Sequence, residues 1–150
     1  PRPDHLGRGH GRDMGGRVTE QTIKRALMDA IKRLTPEAVA LRHEDKFSAG
    51  IPDLSYSLNG RTTWWEVKYA DPRLVSQGVQ RHLCARLDAA SLCRYIIYQQ
   101  GIAKKRPRAI RVVRPDDLDC WNVAGDEVTT GSFQPRDLVA YIARVHGVQI

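Results

Sequence analysis

Asp53, Glu66 and Lys68 carry side chains suited to metal or acid–base chemistry, and they flank the clearest hairpin pattern in the sequence. Apolar and polar residues alternate on both sides of Asn59-Gly60, a dipeptide typical of a two-residue type I′ turn. That turn fixes a pairing in which Asp53 lies opposite Glu66 at a non-hydrogen-bonded position, with Cβ atoms about 4.5–5.5 Å apart. Lys68, two residues beyond Glu66, projects from the same face. The pattern therefore predicts two facing carboxylates and one ammonium group on a single polar face.

Two directly opposed carboxylates destabilise a sheet, and their proximity raises the pKa of one of them. A divalent cation that prefers oxygen ligands, Mg²⁺ or Mn²⁺, would compensate for this repulsion. The spacing alone is equally consistent with a surface ion-pair cluster in which Lys68 bridges the two acids. We expect the other face of the hairpin to contact the core, because it carries the apolar residues Leu54, Tyr56, Leu58, Trp65 and Val67.

A first helix is predicted on the N-terminal side of this hairpin. Apolar residues recur at helical spacing from Ile23 to Leu34, Thr19 is a suitable N-cap, and Thr35-Pro36 ends the segment.

Two further helices are predicted after the hairpin. Residues 76 to about 90 form the second, with Val79, Leu83 and Leu87 on its buried side. The third begins at a proline and ends at a glycine, over residues 135–147.

Additional strands are predicted over residues 39–41, 95–98 and 109–113, whereas residues 115–133 give no clear pattern. The order is helix, three strands, helix, strands, helix. This order predicts an α/β fold, in which helices cover the faces of a mixed β-sheet.

The chain of 150 residues is predicted to contain one domain, residues 18–150, preceded by a Gly/Arg-rich tail, residues 1–17. The tail has little to bury, so we expect it to be mobile unless a partner or a neighbouring subunit holds it. No apolar run approaches the roughly 18 residues that a membrane span needs. The three cysteines, Cys84, Cys93 and Cys120, lack disulfide or zinc spacing, which indicates free thiols and an intracellular, reducing location such as the cytoplasm.

The formal net charge of +7 favours a polyanionic partner. Ten of the 24 lysines and arginines fall in two clusters. One contains Lys104, Lys105, Arg106 and Arg108, followed by Arg111 and Arg114; the other contains Arg12 and Arg17, preceded by Arg2 and Arg8. These clusters are predicted to contact phosphates, although a charge run can also be a solvated face.

Gly50-Ile51-Pro52-Asp53, followed after the turn by Glu66-Val67-Lys68, resembles the motif of the PD-(D/E)XK nuclease superfamily. Within that superfamily the chain is most similar to the VRR-NUC branch, which occurs in phage nucleases and structure-specific repair nucleases. The resemblance extends from the first helix to about Leu118. It implies a restriction-endonuclease-like core, a mixed sheet with an antiparallel meander flanked by helices.

The resemblance also implies roles for individual residues. Asp53 and Glu66 would be metal ligands together with the backbone carbonyl of Val67, and Lys68 would orient or activate the attacking water. Gln80 occupies the position of a supporting glutamine early in the second helix, where Gln77 is a weaker candidate.

Glu20, at the start of the first helix, matches an acid that often completes the metal site. An acid in the first turn of a helix is also expected simply because it complements the helix dipole.

These observations together predict a Mg²⁺- or Mn²⁺-dependent DNA endonuclease that hydrolyses phosphodiester bonds. Branched or otherwise structured DNA is a candidate substrate, and a phage origin is consistent with the resemblance. The expected partners are DNA and either a second copy of the chain or another protein that orders the tail. The alternatives are a non-catalytic DNA-binding or virion-associated structural protein on a nuclease fold, and an enzyme that acts on RNA.

Three nearby residues have competing interpretations. Trp64 shares the polar face and could stack on a base, but packing under the second helix is favoured. His82 is expected at the surface rather than on a phosphate, and His43 is expected to end a strand rather than to bind a metal.

Overall fold

A computed structural model describes residues 18–44, 50–70, 78–99, 109–118, 125–130 and 133–150. Within these residues the α-helices are α1 (Glu20–Leu34), α2 (Gly78–Ala90) and α3 (Pro135–Val145), and a single 3-10 turn covers Pro115–Asp117. The six strands are β1 (Val39–Arg42), β2 (Leu54–Leu58), β3 (Arg61–Ala70), β4 (Cys93–Gln99), β5 (Ala109–Val113) and β6 (Asp126–Thr130). The predicted tail, Ser76, Gln77 and the basic residues Arg12, Arg17, Lys104, Lys105, Arg106 and Arg108 lie outside the described residues.

The strands form one mixed sheet in the order β1-β2-β3-β4-β5-β6. Neighbouring strands are antiparallel except β3 and β4, which run parallel. A parallel pair needs a crossover connection, and α2 lies between β3 and β4 in the chain. The predicted α/β fold with a mixed sheet flanked by helices is therefore confirmed.

The β2–β3 hairpin has the predicted register. Leu54 pairs with Trp65, and Leu58 pairs with Arg61 next to the turn. Asn59 and Gly60 both have positive φ angles, 53° and 73°, as a type I′ turn requires. The pairing of every described hairpin residue thus follows from the two-residue turn.

The two faces of the sheet are covered by different helices. On one face, apolar side chains of the hairpin pack with residues of α1 and α3, among them Ile23, Leu27, Leu138 and Ile142. On the other face, Cys84 of α2 packs with β4 and β5. All five hairpin residues expected to contact the core, Leu54, Tyr56, Leu58, Trp65 and Val67, are buried in the cluster with α1 and α3.

Helix α1 begins and ends where its sequence predicts. The side chain of Thr19 accepts a hydrogen bond from the backbone N–H of Thr22, whose own side chain accepts one from the backbone N–H of Thr19. This reciprocal capping satisfies two N–H groups that the helix leaves unpaired. At the other end, the N–H of Thr35 donates to the carbonyl of Ile31.

The prediction for the buried side of α2 is partly wrong. Val79 is 64% exposed, whereas Cys84 is fully buried and Leu87 packs beside it. The inward face is centred on Cys84, so the residue one turn before it on that face is Gln80 rather than Val79. The polar residue Gln80 therefore faces inward in the first turn of α2, where the apolar pattern predicted that Val79 would.

Other differences are at the level of boundaries. Strand β1 extends one residue beyond the predicted range, β4 extends at both ends, and β5 and α3 lie where expected. Strand β6 falls in the segment that gave no clear pattern. In the part of the chain that the structure describes, no helix is both long and apolar enough to cross a membrane.

Candidate active site

Asp53 directly precedes β2 and is joined to β3 by its backbone and its side chain. Its N–H donates to Glu66 Oε2 (3.0 Å), and its Oδ2 accepts from the N–H of Val67 (2.9 Å). Its carbonyl accepts from the N–H of His43 (2.8 Å), the residue after β1, so Asp53 is also hydrogen-bonded to the chain at the end of that strand. The strand pairing ends at Leu54 and Trp65, and these contacts hold Asp53 beside Glu66 just beyond it.

Glu66 is buried, with only 2% of its side chain exposed, and its carboxylate lies among polar groups. Glu66 Oε1 accepts from Gln80 Nε2 (2.6 Å) and lies 3.2 Å from Lys68 Nζ. Burial and the negative charge of Asp53 raise the pKa of Glu66 to about 8, although Lys68 acts in the opposite direction. Removing the neighbouring negative charge or adding a cation would favour its ionised form.

Lys24 is a member of this cluster that the sequence motifs did not indicate. Its Nζ donates to Asp53 Oδ1 (3.1 Å), and only 9% of its side chain is exposed. Lys24 comes from α1, whereas Gln80 comes from α2. The two carboxylates are therefore held by the helices that cover opposite faces of the sheet.

The four ionisable side chains form two ion pairs. Lys24 pairs with Asp53, and Lys68 pairs with Glu66. When all four groups are ionised, their formal charges cancel. Protein groups thus reduce the repulsion expected between two opposed carboxylates, although the pKa of Glu66 stays raised.

The donor atoms of the cluster fit a hard divalent cation. Asp53 and Glu66 offer carboxylate oxygens, and Gln80 Oε1 is buried without a hydrogen-bond partner among the described residues. The same part of the chain contains no group of three or more His, Cys, Asp and Glu side chains arranged to hold a metal ion. Mg²⁺ commonly binds through one or two carboxylates and takes its other ligands from water and substrate phosphate, so two acids suffice.

Gly50 allows the loop that carries Asp53 to lie directly against α2. Its φ angle is +88°, and a Cβ atom at this position would lie 3.1 Å from the Cα of Gln80 and 3.3 Å from the carbonyl oxygen of Val79. Both neighbours are helix backbone atoms, which cannot rotate away as the end of a side chain can. Only glycine fits this corner without displacing Gln80 or straining the loop.

The structure brings together Asp53, Glu66, Lys68, Gln80 and the backbone of Val67. Glu20 instead accepts a hydrogen bond at Oε1 from the N–H of Tyr69 (3.1 Å), one residue beyond Lys68 on β3. Roles for Glu20 and for the Val67 carbonyl as metal ligands stay predictions.

The structure agrees with the expected packing of Trp64 and the expected exposure of His82, whereas the expectation that His43 does not bind a metal stays a prediction. Trp64 packs against the α2 side of the sheet and stacks on His43, with ring centroids 5.4 Å apart. His43 Nε2 is 2.9 Å from Ser55 Oγ, and His82 is exposed on α2.

Cys84 and Cys93 are free thiols, as their spacing predicts, and both are fully buried. Cys120 lies outside the described residues.

Comparison of the sequence with protein-family models and with curated proteins finds no match.

Proposed function

We propose that this chain is a metal-dependent nuclease with a restriction-endonuclease-like core, a member of the PD-(D/E)XK superfamily of the VRR-NUC type. The observation that carries the proposal is the cluster of Asp53, Glu66, Lys68 and Gln80, in which Glu66 accepts from the backbone N–H of Asp53 and contacts both Gln80 and Lys68. The order of strands and helices around it supports the same proposal.

The cluster supplies the groups that phosphodiester hydrolysis requires. Asp53 and Glu66 would hold Mg²⁺ or Mn²⁺, which when bound polarises a phosphate and lowers the pKa of a bound water. Lys68 would orient the attacking water and balance the negative charge that develops on the phosphate. Gln80 donates to Glu66 and so keeps that carboxylate directed at Asp53.

DNA is the proposed substrate because the chain is strongly basic, with a formal net charge of +7. The clusters at residues 104–108 and 12–17 would contact the flanking phosphates. A homodimer would bring two such sites to a branched or structured DNA, and this step depends on analogy with the superfamily.

A cleavage assay tests the proposal. Linear, nicked, flapped and four-way DNA would be incubated with Mg²⁺, Mn²⁺ or EDTA, with RNA of matched sequence alongside. We expect cleavage of DNA only when a cation is present. Cleavage that persists in EDTA, or cleavage of RNA alone, would contradict the proposal.

Asp53→Asn should abolish cleavage and leave DNA binding intact. Asn keeps the shape of the side chain but removes the charge that would hold the cation. The expected loss of rate is at least about a hundredfold, because metal activation of water contributes several kcal/mol and each ~1.4 kcal/mol is a factor of ten. The matched control is Asp29→Asn, which alters an exposed acid on α1 and should cleave at the rate of the unmodified protein. A normal rate for Asp53→Asn would refute the assignment of the site.

A non-catalytic DNA-binding protein is the second candidate, and one observation favours it. Lys24 and Lys68 lie within ion-pair distance of the two carboxylates, so a purely structural ion-pair network accounts for the position of all four side chains. Salt-sensitive DNA binding without cleavage in any divalent cation would support this candidate.

A further inference from the structure

Lys24, on α1, forms a hydrogen-bonded ion pair with one carboxylate oxygen of Asp53. The distance from Lys24 Nζ to Asp53 Oδ1 is 3.1 Å, and the lysine is almost entirely buried. Burying an ammonium group is costly unless it is paired, so this contact accounts for the inward direction of a lysine on α1. It is a specific contact and not one of the surface ion pairs that contribute little.

The two oxygens of Asp53 have different partners. Oδ2 accepts from the backbone N–H of Val67, a contact that belongs to the hairpin itself. Oδ1 accepts a hydrogen bond from the positively charged ammonium group of Lys24. A divalent cation that binds Asp53 would therefore compete with Lys24 for Oδ1 and would be repelled by the ammonium group nearby.

We infer that Lys24 is a positioning residue whose ammonium group takes the place of the divalent cation beside Asp53. In the metal-free protein it holds the Asp53 carboxylate in position, and its positive charge determines how strongly the cation binds. This inference rests on the proposed function, since it needs a cation to compete with. Lys24 thereby favours cation binding together with the negatively charged phosphate over binding of the cation alone.

The inference predicts two effects of opposite sign when the charge of Lys24 is removed. In the absence of a cation, Lys24→Gln would leave Asp53 without its ion-pair partner and would increase the repulsion between Asp53 and Glu66. The variant should therefore lower the thermal stability of the metal-free protein. With a cation, a competing and repelling positive charge would be absent, so the same variant should bind the cation more tightly. A lysine that served only to pack α1 would lower stability without increasing cation affinity.

The experiment measures Mn²⁺ binding by titration calorimetry and thermal unfolding in EDTA, in the absence of nucleic acid. Lys24→Gln and Lys24→Met remove the charge, and Met also preserves the aliphatic part of the side chain. Lys24→Arg retains the charge, and Lys32→Gln alters an exposed lysine on the same helix. We expect Mn²⁺ affinity to rise roughly tenfold in the first two variants, as expected for removing one charge a few ångströms from the cation, and to stay unchanged in Lys24→Arg and Lys32→Gln.

The possible outcomes distinguish failure of the inference from failure of the proposed function. Unchanged or weaker Mn²⁺ binding by both charge-removing variants, with normal binding by the unmodified protein, would overturn the inference and leave the nuclease proposal intact. Absence of Mn²⁺ binding by every protein would overturn both. If Lys24→Gln and Lys24→Met unfold in EDTA but fold when Mn²⁺ is added, the inference is supported; if they remain unfolded with Mn²⁺, Lys24 is structural and the inference fails.

Discussion

Lys68 is the residue of the cluster whose proposed role is closest to the chemistry. Its Nζ lies 3.2 Å from Glu66 Oε1, and its side chain is 17% exposed, so the ammonium group is held by the protein but reachable from solvent. A group in this position can contact both a carboxylate and an incoming phosphate.

Lys68→Met should reduce the cleavage rate by about a hundredfold or more, the usual contribution of a positioned acid–base group. DNA binding measured in EDTA should change little, because most of the affinity is expected from other basic residues. The matched control is Lys32→Met on the exposed side of α1. Equal cleavage by the two variants would remove Lys68 from the mechanism.

At the scale of single residues, the sequence predicted the carboxylates, Lys68 and Gln80 but not Lys24. A signal was present: Lys24 lies four residues after Glu20 and three before Leu27, on the inward stripe of α1, where an unpaired lysine is unfavourable. The sequence could not show that its partner is Asp53, because that contact depends on how α1 crosses the sheet.

At the scale of elements, the loop containing Gly50 determines how closely Asp53 approaches α2. Gly50→Ala should lower the free energy of unfolding through two effects. Holding alanine at a positive φ angle costs about 1–2 kcal/mol, and the clash of its Cβ with the backbone of α2 adds roughly 1–3 kcal/mol. The clash should also displace Gln80 and reduce cleavage. Chemical denaturation and the DNA assay measure the two effects.

Gly60→Ala is the matched control for this prediction. Gly60 also has a positive φ angle, +73°, but no atom lies within 4 Å of the Cβ that alanine would add. It should show only the conformational cost and retain cleavage. Equal destabilisation by the two variants would mean that the Gly50 loop tolerates the contact with α2.

His146, directly after α3, connects that helix to the hairpin turn. Its Nδ1 donates to the carbonyl of Leu58 (3.0 Å), and its Nε2 lies 2.9 Å from Thr63 Oγ1. The same hydroxyl oxygen accepts from Trp65 Nε1 (2.9 Å). The ring therefore lies within a buried chain of hydrogen bonds.

Burial lowers the pKa of His146 below its usual value of 6.5, which predicts a loss of stability in acid. Because the pKa of the folded protein is below that of the unfolded chain, the stabilising contribution is fully present above about pH 6.5 and is lost as the pH falls through the lowered pKa. Urea unfolding at a series of pH values measures this slope. His146→Gln should reduce it, whereas His82→Gln, at an exposed histidine on α2, should leave it unchanged.

The elements themselves were predictable to different degrees. The Asn59-Gly60 turn determined the register of β2 and β3, because a two-residue loop permits one pairing. Val79 was assigned to the wrong face because the inward side of α2 contains Gln80 and Cys84, so apolarity does not mark it. Strand β6 is short and polar, and its strand conformation depends on pairing with β5.

At the scale of the whole molecule, the predicted interaction with DNA depends on the basic cluster at residues 104–108. Replacing Lys104, Lys105 and Arg106 by alanine should weaken binding to all sequences about equally. The slope of log K against log salt should fall by about 0.9 for each duplex phosphate that the variant no longer neutralises. Fluorescence anisotropy at several salt concentrations measures this, with Lys32→Ala as the control. An unchanged slope would show that the cluster does not bind phosphates.

The parallel pairing of β3 with β4 also determines the order in which the molecule can fold. The β2–β3 hairpin is local in sequence, and hairpins form in about 1–10 μs, so Asp53 and Glu66 can meet early. Strand β4 can join β3 only after the chain has closed a longer loop, because Glu66 pairs with Tyr95. The pairing of β4 with β3 is therefore expected to form after the hairpin. Contacts that form after the folding transition state govern the rate of unfolding more than the rate of folding, so substitutions that weaken this pairing should mainly shorten the lifetime of the folded protein.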